Sequence, residues 1–155
     1  MKFFNRLGVS VCVVLLPTAI LAQDVYKCDF REAGTRGWIS NWAWVHVENG
    51  TASVLDGVIR YELDGAVTPK KLKSSDGADQ FTWSVKLKSR NQQQFLAKYA
   101  LKLVPEAKNK SSMSMTLNNS RTQREFARGT CKKQNPVSRA RFNAWAKDSA
   151  AEAKK

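Results

Sequence analysis

The sequence predicts an all-β protein, a small antiparallel β-barrel of roughly seven or eight strands followed by a short C-terminal helix. Three observations indicate this fold. Short segments in which apolar and polar residues alternate recur along the chain, and turn dipeptides such as Asn49-Gly50 separate them. Two cysteines, Cys28 and Cys131, lie near the two ends of the chain that remains after an N-terminal segment is removed. From Asn135-Pro136 onward the pattern favours a helix.

The first 22 residues have the order of an export signal. Lys2 and Arg6 form a positive start, an apolar run extends over 7–16, and Pro17-Thr18 ends it before Ala19-Ile20-Leu21-Ala22, with a cleavage site after Ala22. The run is shorter than the ~20 apolar residues that a membrane-spanning helix needs, so we expect removal of the segment. Removal takes Cys12 with it and leaves 133 of the 155 residues, which suffice for one domain. We expect a periplasmic or secreted protein, with a bacterial envelope as the favoured location.

The two remaining cysteines predict a disulfide, because exported chains meet an oxidising compartment in which thiols pair and persist. The alternation in Tyr26 to Phe30 places Cys28 on the inward face of a first strand, and Gly129-Thr130-Cys131 ends the last strand-like segment. A Cys28–Cys131 bridge would tie the first strand to the last and so close the barrel. In the chain-entropy model a closed loop of roughly 100 residues contributes about 4 to 5 kcal/mol. A metal-binding pair is the alternative, but the two cysteines lack zinc spacing.

The first half of the barrel region supplies segments with strand character and turn residues between them. In chain order these segments are Tyr26 to Phe30, Trp38 to Glu48, Thr51 to Leu55 and Val58 to Leu63. Asn49-Gly50, Asp56-Gly57 and Asp64-Gly65 end three of them, because Asn, Asp and Gly tolerate the positive φ of tight turns. Residues 70–78 are polar and predict a connection.

The second half contains the clearest alternation in the chain. Phe81 to Leu87 is apolar at odd positions, and Phe95 to Leu103 repeats the pattern after a connection. These two strands form a predicted hairpin with one apolar face and one basic face. Met113 to Leu117 and Phe126 to Cys131 complete the strands. The sequence leaves open whether the sheet closes as a lipocalin-like barrel or folds as a sandwich, and whether its interior is packed or hollow.

The C-terminal segment predicts a short helix over 136 to about 150, with Asn135 as its cap and Pro136 in its first turn. The apolar residues at helical spacing are Val137, Ala140, Ala144 and Trp145. We expect this helix either to dock through Trp145 or to fray. The predicted divisions of the chain are a signal over 1–22, a barrel domain over 23–133 and a helix or tail over 134–155.

Charge is segregated along the chain. The formal net charge of +13 falls to +11 once the two bases of the signal are removed. Residues 23–69 hold four bases and seven acids, whereas residues 70–155 hold twenty bases and six acids. One surface should therefore be strongly positive. The predicted anion-binding residues are Lys86, Lys88, Lys98 and Lys102 on the outward face of the hairpin and Arg90 at its tip.

This charge favours an anionic lipid or polysaccharide of the envelope as the partner, and a solvated face without a partner is the alternative. Nucleic acid is disfavoured, because the aromatic residues of the hairpin, which could stack on bases, lie on the face opposite the lysines. The sequence thus predicts a non-enzymatic exported binding protein. If the barrel is hollow, it predicts a carrier of a small ligand instead.

Trp42 and Trp44 share one face of a predicted strand, and Ala43 and Val45 share the other. If the small residues point inward, the two tryptophans lie outside, where they could form an aromatic platform for a sugar or a partner protein. If the tryptophans point inward, they fill the barrel or line a pocket. Core packing is the role that we expect.

His46 is the only histidine, so a catalytic relay that needs histidine would depend on it, and no nucleophile motif accompanies it. Glu48 and Glu62 could complete an acid-base set with Arg60 holding a phosphate, but such sets can be drawn in most chains. We expect His46 to be structural and the protein not to be an enzyme. Acids and cysteines show neither calcium nor zinc spacing, so the sequence predicts no metal site and no cofactor.

At Tyr26-Lys27-Cys28 and Gly129-Thr130-Cys131 the chain resembles small periplasmic β-barrel proteins whose first and last strands are disulfide-linked. Over the barrel domain its pattern is also similar to that of periplasmic inhibitors of c-type lysozyme. Those inhibitors carry a Ser-Gly-x-x-Tyr loop that enters the enzyme's cleft, and Asp56-Gly57 with Tyr61 is the nearest segment here, at a different spacing. The resemblance implies an alternative function, which is inhibition of an envelope hydrolase through an exposed loop such as Asn49-Gly50 or Asp56-Gly57.

Overall fold

The computed structural model describes residues 23–30, 37–88, 91–118 and 123–155 of the chain. These residues form eight β-strands and two helices. The strands are β1 (Gln23–Phe30), β2 (Trp42–Glu48), β3 (Thr51–Asp56), β4 (Lys70–Lys73), β5 (Asp79–Lys88), β6 (Gln94–Leu103), β7 (Ser111–Leu117) and β8 (Arg124–Gln134). The helices are α1 (Gly57–Glu62) and α2 (Arg139–Ala153). The predicted signal over 1–22 and Arg90 of the predicted hairpin lie outside the described residues.

The strands form one antiparallel sheet in the order β3-β2-β1-β8-β7-β6-β5-β4, which curls into a nearly closed barrel. The predicted antiparallel barrel with a short C-terminal helix is confirmed. The seam of the barrel lies between β3 and the segment that leads into β4. Val54 and Val67 meet there and exchange two backbone hydrogen bonds of 2.8 and 2.9 Å.

Cys28 and Cys131 form the predicted disulfide, and both residues are fully buried. They stand opposite each other in the β1–β8 pairing, with Cα atoms 3.9 Å apart. The bridge therefore joins the first strand to the last, as the positions of the cysteines predicted. It does not close the barrel at the seam, because β1 and β8 are central in the strand order and six residue pairs already hold them together.

The interior of the barrel is a packed core. The inward side chains that are at most 2 % exposed include Phe30, Phe81, Tyr99, Met113 and Met115. Trp83 stacks on Tyr99, with ring centroids 5.5 Å apart. Such side chains fill an eight-stranded barrel, since an interior of this size is just wide enough to hold them. The packed interior favours the outer surface as the place for a binding site.

Gly129 permits β8 to approach β1 closely. It stands opposite Phe30 in the β1–β8 pairing and is buried. A Cβ atom at this position would lie 2.6 Å from Cδ1 of Phe30 and would also overlap the carbonyl oxygen of Asp29. Glycine is therefore required for the close contact between the two strands that the disulfide joins.

Two segments form a different kind of element from the one predicted, and the strand predicted from Trp38 begins only at Trp42. Gly57–Glu62 forms helix α1 and not a strand, because the Asp56 carboxylate accepts a 2.7 Å hydrogen bond from the Ile59 backbone N–H and caps the first turn. Lys70–Lys73 forms β4 and not a connection, since its backbone pairs with β5 although all four side chains are exposed. Alternation carries no signal where a strand buries neither of its faces.

Helix α2 docks on the outside of the barrel, where it contacts β2, β3 and α1. Ser138 is its N-cap, so the predicted cap at Asn135 is wrong and Asn135-Pro136 precedes the helix as irregular chain. The side chains that α2 buries are Phe142, Ala146 and Ala150. The predicted apolar stripe passes through Trp145, the largest apolar residue of the segment. It differs from the buried stripe because Trp145 lies at the edge of the contact between α2 and the barrel and is 43 % exposed. Neither of the two described helices has the length and hydropathy needed to cross a bilayer.

Candidate functional site

The outward positions of β5 to β8 carry bases and, in the described part of the chain, no acids. Burial shows which residues of each strand face the interior. Phe81, Tyr99 and Met113 point inward, so their neighbours in sequence point outward. The bases at outward positions are Lys86, Lys88, Lys98, Lys102, Arg124, Arg128 and Lys132. This surface is named the basic face. It contains the four predicted lysines of the hairpin, and β8 extends it beyond β7.

The register of the strands brings several bases of this face together. Lys98 stands opposite Ser84, and Lys86 is the next outward residue of β5, so the two lysines are diagonal neighbours. On the other side of β6, Lys98 pairs with Thr116, which in turn pairs with Arg124. Because neighbouring strands are about 4.8 Å apart, the backbones at Lys98 and Arg124 are separated by roughly 10 Å.

Lys102 belongs to the basic face by position, but a neighbouring acid compensates its charge. Its ammonium group forms an ion pair with the carboxylate of Asp76, in the turn between β4 and β5. The hydrogen bond from Lys102, followed by one from Ser74, lowers the pKa of Asp76 far below its usual range. The other three lysines of the hairpin form no ion pair with a described residue, so they carry its uncompensated charge.

A shallow depression of about 380 Å³ lies in the basic face. Lys98 is part of its lining, and the outward residues of its floor are Thr82, Ser84, Ala100, Ser114 and Thr116. Four of these five side chains carry a hydroxyl group. The depression can therefore donate and accept hydrogen bonds beside a fixed positive charge.

Sequence reasoning did not single out Phe126, a large apolar side chain on the basic face. Phe126 is 54 % exposed, and the guanidinium carbon of Arg128 lies 5.9 Å from its ring centroid. The sequence contains a signal for this orientation, because side chains alternate along a strand and Phe126 is an odd number of residues from the inward Cys131. Glu125 is an even number of residues from Cys131 and therefore points inward, where its carboxylate accepts a 3.0 Å hydrogen bond from the backbone N–H of Trp38.

Trp42 and Trp44 lie on the outer surface of β2, since Ala43 and Val45 are fully buried inside the barrel. The expectation that the two tryptophans point inward and fill the barrel is therefore wrong, and the orientation with the small residues inward is the one observed. Both tryptophans are half-buried and pack against the core from outside. Trp44 meets Trp145 of α2 edge to face, with ring centroids 5.5 Å apart. The partner of Trp44 in this aromatic pair thus comes from the C-terminal helix.

A groove of about 560 Å³ lies between α2 and the wall of the barrel. It is named the Trp44–Trp145 groove after two indoles that line it. The other lining residues are Val25, Gln134, Asn135, Pro136, Val137, Arg141 and Phe142. Beside it, the ammonium group of Lys27 lies 6.0 Å from the Trp44 ring centroid. The groove thus combines aromatic rings, side-chain amides and cations.

Of the four residues that the sequence offered for an acid-base set, His46, Glu48 and Arg60 help to hold α2 in place, and Glu62 is exposed at the end of α1. His46 is fully buried, and its Nε2 atom donates a 2.7 Å hydrogen bond to the carbonyl oxygen of Val137. The guanidinium group of Arg139 donates a 2.5 Å bond to the backbone carbonyl of Glu48. Arg60 donates through Nε to a backbone carbonyl of α2 at 2.9 Å. Through these bonds His46, Arg60 and the backbone of Glu48 hold α2 against the barrel.

One of the two loops expected to be exposed in an inhibitor is closed off. Asp56 is fully buried, and this burial raises the pKa of its carboxyl group to about 6, against the opposing effect of hydrogen bonds from Ile59 and Val58. The expectation of an exposed Asp56-Gly57 loop is therefore wrong. Asn49-Gly50 is an exposed turn whose two residues have positive φ angles of 52 and 74°. Among the described residues, no three His, Cys, Asp or Glu side chains are grouped to hold a metal ion.

A scan of protein-family models, a search of curated proteins and a search of solved structures found no match to this chain. The resemblance to periplasmic barrel proteins and lysozyme inhibitors stays a prediction. Two surfaces of the described part of the protein combine charge with hydrogen-bonding or aromatic groups, the basic face and the Trp44–Trp145 groove.

Proposed function

We propose that this protein is an exported, non-enzymatic binding protein whose basic face binds an anionic component of the cell envelope. The distribution of charge carries this proposal: the described outward positions of β5 to β8 hold seven bases and no acid. Like charges on one face repel each other and destabilise the fold, and an anionic partner relieves that repulsion.

The disulfide supports the exported part of the proposal. Cys28 and Cys131 are bonded to each other, and such bonds form and persist in the periplasm and outside the cell. The predicted signal over 1–22 agrees with an exported protein, and the bacterial envelope is the location that the sequence favours. An envelope also offers the partner, since its polysaccharides and lipids carry carboxylate and phosphate groups.

The shape of the basic face favours a polysaccharide over a lipid surface. The depression at Lys98 offers hydroxyl groups beside the charge, and sugar hydroxyl groups can bond to them. Insertion into a lipid surface would call for a larger exposed apolar area. Phe126 is the one large side chain at a described outward position of β5 to β8 that is exposed and apolar.

The proposal is tested by comparing the binding of purified protein to polygalacturonate and to vesicles that contain phosphatidylglycerol, over a range of salt concentrations. We expect saturable binding to the polysaccharide that weakens as salt rises. The triple variant Lys86→Gln, Lys88→Gln, Lys98→Gln should bind roughly tenfold to thirtyfold more weakly, since each exposed ionic contact contributes up to about 1 kcal/mol.

A matched control removes three other exposed lysines, Lys110, Lys147 and Lys155, and causes the same change in net charge. Equal weakening in both triple variants would contradict the basic face as the site and leave only non-specific attraction. Stronger binding to the vesicles would replace polysaccharide by lipid as the partner. Absence of binding to both ligands at low salt would overturn the proposal.

A further inference from the structure

The Trp44–Trp145 groove has fixed walls. Residues 134–138 lead into α2 along one side, and His46 holds them through its hydrogen bond to Val137. Arg139 fixes the start of α2 through bonds of 2.5 and 3.0 Å to the backbone carbonyls of Glu48 and Thr51. A site that is formed before binding loses little conformational entropy when a ligand arrives.

The polar groups of the groove are those of a site for a hydroxylated anion. Arg141 is exposed, and its guanidinium group has no ion pair with a described residue. Asn135 brings a second side chain with hydrogen-bond donors. Gln134 already donates through Nε2 to two backbone carbonyls, so its free amide oxygen is an acceptor for a hydroxyl group. None of the residues that line the groove is acidic.

The apolar groups of the groove suit a ring with an apolar face more than a flexible chain. Trp145 is 43 % exposed and meets Trp44 at an interplanar angle of 69°, so the two indoles present surfaces in different directions. The C–H groups on one face of a pyranose carry partial positive charge and pack on the electron-rich face of an indole. The volume of about 560 Å³ lies in the range of small-ligand sites.

We propose that the Trp44–Trp145 groove binds an acidic saccharide of the uronate type. One sugar ring packs on the exposed indole of Trp145, and its carboxylate accepts a pair of hydrogen bonds from the guanidinium group of Arg141. Asn135 and Gln134 bond to the ring hydroxyl groups. Lys27, beside Trp44, is a second cation near the ligand, and its charge is partly compensated by Asp29 at 4.0 Å.

This site adjoins the basic face at β8, where Gln134 is the next outward residue after Lys132, but it lies away from Lys86, Lys88 and Lys98 of the hairpin. The inference therefore does not rest on the proposed function: a short saccharide can bind in the groove whether or not a polymer binds to the lysines. Variants of the two surfaces separate the two claims.

The test is a titration of the purified protein with digalacturonate, followed by tryptophan fluorescence and calorimetry at a salt concentration high enough to suppress binding to the basic face. We expect saturable binding with a change in indole emission. Arg141→Gln should weaken binding of digalacturonate roughly tenfold to a hundredfold, because it removes a hydrogen-bonded charge. The same variant should leave binding of the neutral disaccharide, with galactose in place of galacturonate, unchanged.

Trp145→Ala should abolish the binding of both disaccharides, and Trp145→Phe, which keeps an aromatic ring, should restore part of it. Lys147→Gln on the same helix, Phe126→Ala and the triple lysine variant of the basic face serve as controls and should bind normally. The inference is overturned if uronate disaccharides show no saturable binding at millimolar concentration. Normal binding by folded Trp145→Ala, or equal loss in the Lys147→Gln control, would also overturn it.

Discussion

Among the described glycines, Gly129 leaves the least room for a side chain, because a Cβ atom would overlap both Phe30 and the backbone of Asp29. We expect Gly129→Ala to lower the free energy of unfolding by about 3 kcal/mol or more, since an added methyl group in a packed interior forces the two strands apart. Chemical denaturation followed by circular dichroism measures this loss. Ser114→Ala, at an outward position on the neighbouring strand, should cost less than about 0.5 kcal/mol. A loss below 1 kcal/mol for the glycine variant would contradict the packing described.

Asp56 makes stability depend on pH in an unusual direction. Burial raises its pKa from 3.8 to about 6 in the folded protein, so the folded state binds the proton more tightly than the unfolded chain. The stability contributed by this group is fully present below pH 3.8 and is lost as pH rises through about 6. The loss amounts to about 3 kcal/mol at most.

Asp56→Asn should remove this dependence. The asparagine amide oxygen can still accept the hydrogen bond from Ile59 and cap α1, but the side chain does not ionise. Unfolding experiments at several pH values should show a flatter profile between pH 4 and 7, and a gain at pH 7 of about 1 to 3 kcal/mol. The exposed control Asp148→Asn should leave the profile as it is. An unchanged slope in Asp56→Asn would show that Asp56 is not the source.

At the scale of elements, α2 is held by one buried ring and several hydrogen bonds from side chains. Phe142 is 3 % exposed, and its ring stacks on that of His46 at 5.4 Å. We expect Phe142→Ala to reduce stability by about 3 kcal/mol through the cavity that it leaves. Hydrogen exchange should quicken in α2 far more than in β5 to β8.

The control for this prediction is Asn143→Ala, at the next and exposed position of α2. It should change neither stability nor exchange by a measurable amount. If Phe142→Ala quickened exchange equally in α2 and in β5 to β8, the helix would be part of one cooperative unit with the barrel. The description of α2 as a separately docked element would then be wrong.

Elements differ in how well the sequence predicts them, for a physical reason. β5 and β6 bury one face and expose the other, so their alternation of apolar and basic residues shows them directly. β4 exposes every side chain and leaves no such pattern. α1 depends on one hydrogen bond that the Asp56 carboxylate accepts from the Ile59 backbone N–H, and the interpretation of Asp56-Gly57 as a turn hides that cap.

For the whole molecule, the disulfide reinforces a contact that the sheet already makes. Cys28→Ala combined with Cys131→Ala should lower the free energy of unfolding by about 2 to 5 kcal/mol, because the long loop in the unfolded chain is no longer closed. The barrel should nevertheless remain folded, since six residue pairs join β1 to β8. Circular dichroism and denaturation measure both points. Loss of the β-sheet signal in the double variant would contradict this expectation.

The two surfaces differ in how far the sequence could predict them. The charge of the basic face follows from alternation, because Lys86 and Lys98 occupy outward positions of strands that also have a clear apolar face. The Trp44–Trp145 groove combines β1, β2, the end of β8 and the segment around α2, and the first two are far from the others in sequence. Only the docking of α2 brings them together, and its buried stripe of Phe142, Ala146 and Ala150 is weak as a sequence signal.

Mapping of backbone amide shifts by nuclear magnetic resonance, during titration of the Arg141→Gln variant with polygalacturonate at moderate salt, tests the central claim most directly, because this variant weakens uronate binding in the groove. The proposed function predicts that the largest shifts cluster on the basic face, at Ser84, Lys86, Lys98, Thr116 and Arg124. Shifts that are confined to the Asn49-Gly50 turn, or that are scattered evenly over exposed lysines including those of α2, would contradict the assignment of the basic face as the binding site.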